Sequence, residues 1–231
     1  MKSEKPPENQ NLFEDSFSKL SETEQKILVA AQQEFGEQGL QGARMQRIAD
    51  NAGVNKALLH YYFRSKEALY ALTIKSVATQ VWGAFQEQMQ KETPQKDIRT
   101  IIKTFVAILI NTLKDHQYLP RIMIRELSEG GSTALPIMQN IIKNIVALPD
   151  GFAGLLMQGM AAGRVKQIPL PHILMNIFGM CVATFILKPA MLAIAPELGF
   201  KMEYNEAFYA DRIDIISETI CDGILTKENT P

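Results

Sequence analysis

Apolar residues recur at intervals of three and four through most of the chain, and no stretch alternates with the period of two that a half-buried strand requires. The pattern predicts an all-α fold. The first helix opens at Ser21-Glu22-Thr23-Glu24, where a serine and a glutamate three residues on have capping-box spacing. Ile27, Ala30, Ala31, Glu34 and Phe35 follow at helical spacing, and Gly36 and Gly39 mark the expected end. Two short helices are predicted at 45–52 and 55–62, separated by Gly53. Ser65 can cap a long helix to about Lys91, and Pro94 opens another to about Asp115. Further helices fit 120–129, 133–148, 152–163, 171–195 and 204–225, punctuated by Pro120, Gly130-Gly131, Pro149 and Pro196.

One apolar stretch needs a decision. Residues 169–187 hold no Asp, Glu, Lys or Arg, a run long enough in principle to span a bilayer. Pro169, Pro171, His172, Asn176 and Thr184 interrupt it, and no Trp or Tyr stands at its edges. A helix buried on several sides within protein gives the same signal and is the preferred reading, so no membrane partner is expected. The N-terminal MKSEKPPENQ is polar and has no apolar segment, so no signal peptide is expected either.

Composition narrows the class. With 231 residues, 46% of them hydrophobic and 21% charged, the chain can bury a sizeable core, which excludes a disordered protein. Lys and Arg number 24 against 25 Asp and Glu, a net charge of −1, so any nucleic-acid binding has to rest on a local patch. Cys181 and Cys221 lie far apart with no metal-type spacing and read as buried thiols in a reducing compartment. There is no P-loop, GxGxxG, HExxH or GxSxG, and His60, His116 and His172 have no evident partner for metal binding or catalysis. No enzyme, cofactor or metal is expected.

Residues 44–66, RMQRIADNAGVNKALLHYYFRSK, supply the local patch. Arg44, Arg47, Lys56, Arg64 and Lys66 face Asp50 alone. Two short helices crossing steeply need a small residue at the contact, which Ala49 supplies. The turn between them is easiest with a glycine in a positive-φ conformation, which Gly53 supplies. Ile48, Ala52, Val54, Leu59 and Tyr62 then point inward, leaving Lys56, Ala57, His60 and Tyr61 on the outer side of the second helix. This is helix-turn-helix chemistry, with cations and aromatic rings suited to sugar–phosphate and base edges.

GVNKALLHYYFRSKEALY resembles the recognition-helix signature of the tetracycline-repressor (TetR) family of bacterial transcription regulators, and the resemblance extends through IADNAG to cover about residues 22–72. It implies that 45–52 supports a recognition helix at 55–62, Asn55 being its first residue, in the major groove. It further implies that Gln46, Lys56, Ala57, Leu58, His60 and Tyr61 occupy positions that meet bases or backbone, and that Tyr62 and Lys66 occupy phosphate-contacting positions. Two residues depart from the family pattern. Arg44 stands where a capping Thr or Ser is frequent and can instead reach a phosphate or the minor groove, and His60 replaces a frequent Tyr.

The expected organisation is a tail at 1–20, a helix-turn-helix DNA-binding domain at 21–66 and a ligand-binding and dimerisation domain at 67–231. On helix 204–225, Tyr209, Ile213, Ile216, Ile220 and Ile224 form an apolar stripe suited to a partner helix, and helix 171–195 is apolar on nearly every face. Both are candidates for a homodimer contact. Eight of the eleven methionines lie from Met123 onward, a composition that fits either plain core or a pocket for a lipophilic effector. Trp82, Phe85, Phe105, Met123, Glu126, Met160 and Phe178 are the candidate pocket residues, with Arg125 as a second polar handle. The reading is a ligand-responsive repressor that binds double-stranded operator DNA as a cytoplasmic homodimer. The alternative is a helical small-molecule-binding or interaction protein without DNA-binding activity.

Overall fold

Helix α1, Glu22–Gly42, begins as its sequence predicts: the Ser21 side chain accepts from the Glu24 N–H, and the Glu24 carboxylate accepts in return from the Ser21 N–H at 2.8 Å. The computed structural model describes residues 20–91, 97–128, 130, 136, 139 and 151–226, except the side chains of 77, 78, 80–82, 84–86, 88–91 and 127. Beyond α1 come α2 (Met45–Ala52), α3 (Lys56–Phe63), α4 (Lys66–Lys91), α5 (Ile98–Asp115), α6 (Leu119–Ser128), α7 (Phe152–Ala161), α8 (Leu170–Ile186), α9 (Lys188–Ile194) and α10 (Glu206–Ile224). Among the described residues there is no strand, only an isolated bridge between Val165 and Leu225. The predicted tail 1–20 (Leu20 apart) and nearly all of helix 133–148 lie outside the described residues.

Two cores form. In the head, Ile27, Leu28, Ala31 and Phe35 of α1 pack with Ile48 and Ala49 of α2, Leu59 and Phe63 of α3, and Leu69 and Tyr70 of α4. The Phe35 and Tyr70 rings meet edge to face at 4.8 Å. Ile122, from α6, belongs to this same cluster, so one turn of the C-terminal half is built into the head. In the body, α5 is the central helix. Ile98, Ile101, Ile102, Phe105, Val106, Leu109, Ile110 and Leu113 are all buried, the three–four spacing that makes one continuous stripe.

That stripe decides where α10 goes, and it overturns one expectation. Tyr209, Ile216, Ile220 and Ile224 are buried against α5 within the chain, with Ile213 partly buried beside them, so they do not await a partner helix. Periodicity shows that a face is covered; α5 is what covers it. Lys114–Glu206 (2.9 Å), Lys103–Asp214 (2.6 Å) and Arg99–Asp222 (3.5 Å) pair in opposite numerical order along the two helices, so the helices run antiparallel. Exposed pairs of this kind contribute only about 0–1 kcal/mol each, so they fix register more than stability.

Two predicted boundaries change. The first helix does not end at Gly36: it continues to Gly42 with a kink at Gly39, whose φ of 68° is outside helical space. Gly36 is instead a contact, since a β-carbon there would overlap Tyr118 of the α5–α6 turn. The predicted helix 171–195 is two helices, α8 and the segment beginning at Lys188, bent by 58°. Pro189 causes the break, because it has no N–H for the Phe185 carbonyl and its ring clashes there. No single described helix is long and apolar enough to cross a membrane. Ile173, Ile177, Cys181 and Thr184 turn one face of α8 into the core while Met175 stays exposed. Cys181 and Cys221 are free and buried, and loss of solvent pushes their thiols up to about 12 and about 11.

Candidate nucleic-acid interface

The helix-turn-helix is assembled by backbone chemistry legible in its residues. Ala49, fully buried, sits in the head core where α2 packs on its neighbours. Gly53 ends α2 in the left-handed region (φ 69°, ψ 29°), and the turn closes through Gly53 N–H to the Asp50 carbonyl and Val54 N–H to the Ala49 carbonyl. Asn55 then caps α3, its side-chain oxygen accepting from the Leu58 N–H at 2.7 Å.

The start of α2 is held differently. Arg44 makes no side-chain cap. Glu34 of α1, only 1% exposed, supplies it from outside the helix: its Oε1 accepts the Arg44 N–H at 3.0 Å and its Oε2 lies 3.5 Å from the Arg47 guanidinium. Glu34 stands in the apolar register of α1, where spacing alone assigns it no task; a carboxylate in that register is the signal. It joins α1 to α2 and so sets where α3 stands.

Of the proposed DNA-contacting residues, Arg44, Gln46, Asn55, Lys56, Ala57, His60 and Tyr61 are exposed, Tyr61 by 79%, while Leu58, Tyr62 and Lys66 are half-buried. Lys56, Ala57, His60 and Tyr61 are spaced i, i+1, i+4, i+5 and share the solvent face of α3. That helix, about 12 Å long at 1.5 Å per residue, matches the roughly 12 Å width of the major groove. Tyr61 packs edge to face on Tyr62, ring centroids 5.5 Å apart. Gln46 donates to Asp50 at 2.8 Å, which occupies the patch's single acid. Lys66 is employed inside the head: its Nζ donates to the Gln41 carbonyl (3.1 Å) and the Ala43 carbonyl (3.3 Å), holding the end of α1. Two of its three donors are thus committed to the backbone.

Arg64 ends α3 at φ 53°, ψ −51°, with the Ser65 N–H turned back to the Phe63 carbonyl. This is a tight γ-turn that an L-residue adopts only with strain. It places a cation at the exposed end of α3.

The candidate effector residues lie elsewhere. Phe105 stacks on Phe152 at 4.1 Å and meets Phe178 edge on at 6.0 Å, and Met160 packs against the same body core. Met123 is half-buried and Glu126 buried on α6. The side chains of Trp82 and Phe85 are outside the described set. Among the described residues no cluster of His, Cys, Asp or Glu could hold a metal ion.

Residues 27–72, the segment that builds this head, match the sequence profile described as bacterial regulatory proteins, tetR family. This head segment is of the tetR type. RutR of Escherichia coli K12, an HTH-type transcriptional regulator, is 24% identical over 205 residues, covering 89% of this chain and 92% of the relative. A TetR family transcription regulator from Marinobacter aquaeolei superposes with a TM-score of 0.68 at 18% identity, covering 89% of this chain and 96% of that one. FadR of Bacillus subtilis, solved in complex with stearoyl-CoA, gives 0.65 at 18% identity, with 86% and 98% covered. The chain is a DNA-binding transcriptional regulator, not an enzyme.

Proposed function

We propose that this regulator represses transcription as a cytoplasmic homodimer, reading operator DNA with α3 and leaving it when a small lipophilic effector binds. The observation that carries the DNA reading is the outer face of α3. Lys56, Ala57, His60 and Tyr61 stand exposed there on a helix whose other side is fixed in the head core. These four meet base edges, while Arg44, Gln46 and Tyr62 meet the backbone. Asn55 caps the helix, and Lys66 has one remaining proton for a phosphate. For the dimer, α8 and α10 remain the helices of choice, through faces other than the buried stripe: Met175 (69% exposed) and Gly179 on α8, and Ile215 (53% exposed) on α10. Two recognition helices then engage successive major grooves, about 34–36 Å apart. The effector reading is supported by the tetR-type head and by the acyl-CoA bound in FadR.

The test is selection of bound fragments from a random DNA pool, followed by affinity measurements on the winner. A two-fold symmetric site with half-sites one helical turn apart is expected. Lys56→Ala or His60→Ala should alter preference among sites by roughly 1–3 kcal/mol per base contact. Equal loss on every sequence would make both residues backbone contacts.

A further inference from the structure

A cleft of about 720 Å³ opens where the head meets the body, within the roughly 300–1,000 Å³ range of small-molecule sites. One wall is α1. The others are α6 with the turn before it, the end of α8, and α9. Ile124, Phe185 and Leu192 give it an apolar side, and Arg121, Arg125 and Lys188 bring three cations against the single carboxylate of Glu37. That is two net positive charges in a chain whose total is −1. Arg121 is exposed and, among the described residues, has no hydrogen-bond or ion-pair partner. Lys188 lies over the Tyr204 ring at 4.9 Å, and Arg125 has one nitrogen committed to the Glu37 carbonyl at 2.9 Å. By contrast, Phe105 and Phe178 are packed face to face or edge on with their neighbours in the body core.

We propose that this cleft binds an amphipathic anion, a carboxylate or phosphate monoester head on an apolar chain. The cations give the head charge-assisted hydrogen bonds, and the apolar side takes the chain. An uncharged lipophile would cover the same cations without pairing them, and a cationic one would be repelled. The position also explains a response. The ligand touches α1 and the body together, so its affinity depends on the angle between them, the difference a ligand needs to shift an equilibrium. Arg125 and its bond to Glu37 sit just before the Gly39 kink that leads to α2, so a head group that recruits Arg125 acts directly on the support of α3. This consequence rests on the effector-released reading; the binding itself does not.

The full-length protein is titrated by calorimetry with laurate, dodecyl phosphate and dodecanol, each below its aggregation concentration, and DNA binding is followed in parallel. One anion per chain is expected, with dodecanol at least tenfold weaker, and the tighter anion identifies the head group. The double variant Arg121→Ala/Lys188→Ala should bind the anions at least tenfold more weakly. Leu192→Trp, at a residue 44% exposed and so tolerant of size, should block the cleft sterically. Anions binding no tighter than dodecanol, or variants binding like the parent chain, overturn the proposal. DNA release that persists undiminished in both variants overturns the cleft's part in the response, since the effector then acts elsewhere. Anion binding that the variants abolish, with no effect on DNA in the parent chain, upholds the cleft and removes the effector-released reading instead.

Discussion

Glu34 shows how one buried side chain can position an interface it does not touch. Its carboxylate replaces the cap that Arg44 cannot supply and holds Arg47, a residue 46% exposed at the side chain, from within the head. Glu34→Ala leaves the Arg44 N–H without its partner, and a cost of about 1–3 kcal/mol is expected in urea unfolding. Glu34→Gln keeps an acceptor oxygen and should retain most of that stability while losing the ion pair to Arg47. Equal losses for the two variants would mean that packing, not the hydrogen bond, is the contribution. Arg64 is the opposite case, a residue whose conformation costs stability. Arg64→Gly relieves the positive φ and should raise stability by about 1 kcal/mol while weakening DNA binding through loss of a cation. A drop in melting temperature would show that the Arg64 side chain supports the head.

Helix elements were legible in the sequence where local chemistry sets them. The capping box of Ser21 and Glu24 and the left-handed Gly53 depend on neighbours within a few residues, so the start of α1, α2 and the turn after it lie where their residues predict. Helix α3 is shifted by one residue to Lys56–Phe63, with Asn55 as its cap and not its first residue. Pro189 is equally visible, yet the apolar run predicts one helix over 171–195, because such a run does not distinguish a proline inside a helix from one in the first turn of the next. The stripe on α10 was legible as a buried face but not as a face buried by α5, since periodicity carries no address. The exposed face of α3 is legible as spacing and charge, whereas the internal duty of Lys66 depends on where the end of α1 arrives. The α1–α6 contact belongs to this scale too. Gly36 admits Tyr118, whose hydroxyl donates to Gln32 at 2.7 Å, and Gly39 lies against Arg125. Gly36→Leu should displace Tyr118 and lower stability by about 1–3 kcal/mol, read from the urea midpoint. An unchanged midpoint would show that this joint is loose.

At the scale of the whole molecule, a head and a body with separate cores are joined twice, through α4 and through α6, whose Ile122 lies in the head core. Two joints make the angle between the halves a defined quantity, which is what a ligand-responsive regulator needs in order to have two discrete states. The central claim is that α3 reads DNA. The direct measurement is fluorescence anisotropy of the purified chain with DNA from immediately upstream of its own gene, against random DNA of equal length, across a salt series. Binding that prefers the upstream sequence and weakens steadily with salt, each phosphate contact contributing a slope of about −0.9 in log K against log salt, is the predicted result. A folded protein that shows no preference and no salt dependence even at low ionic strength would contradict the account.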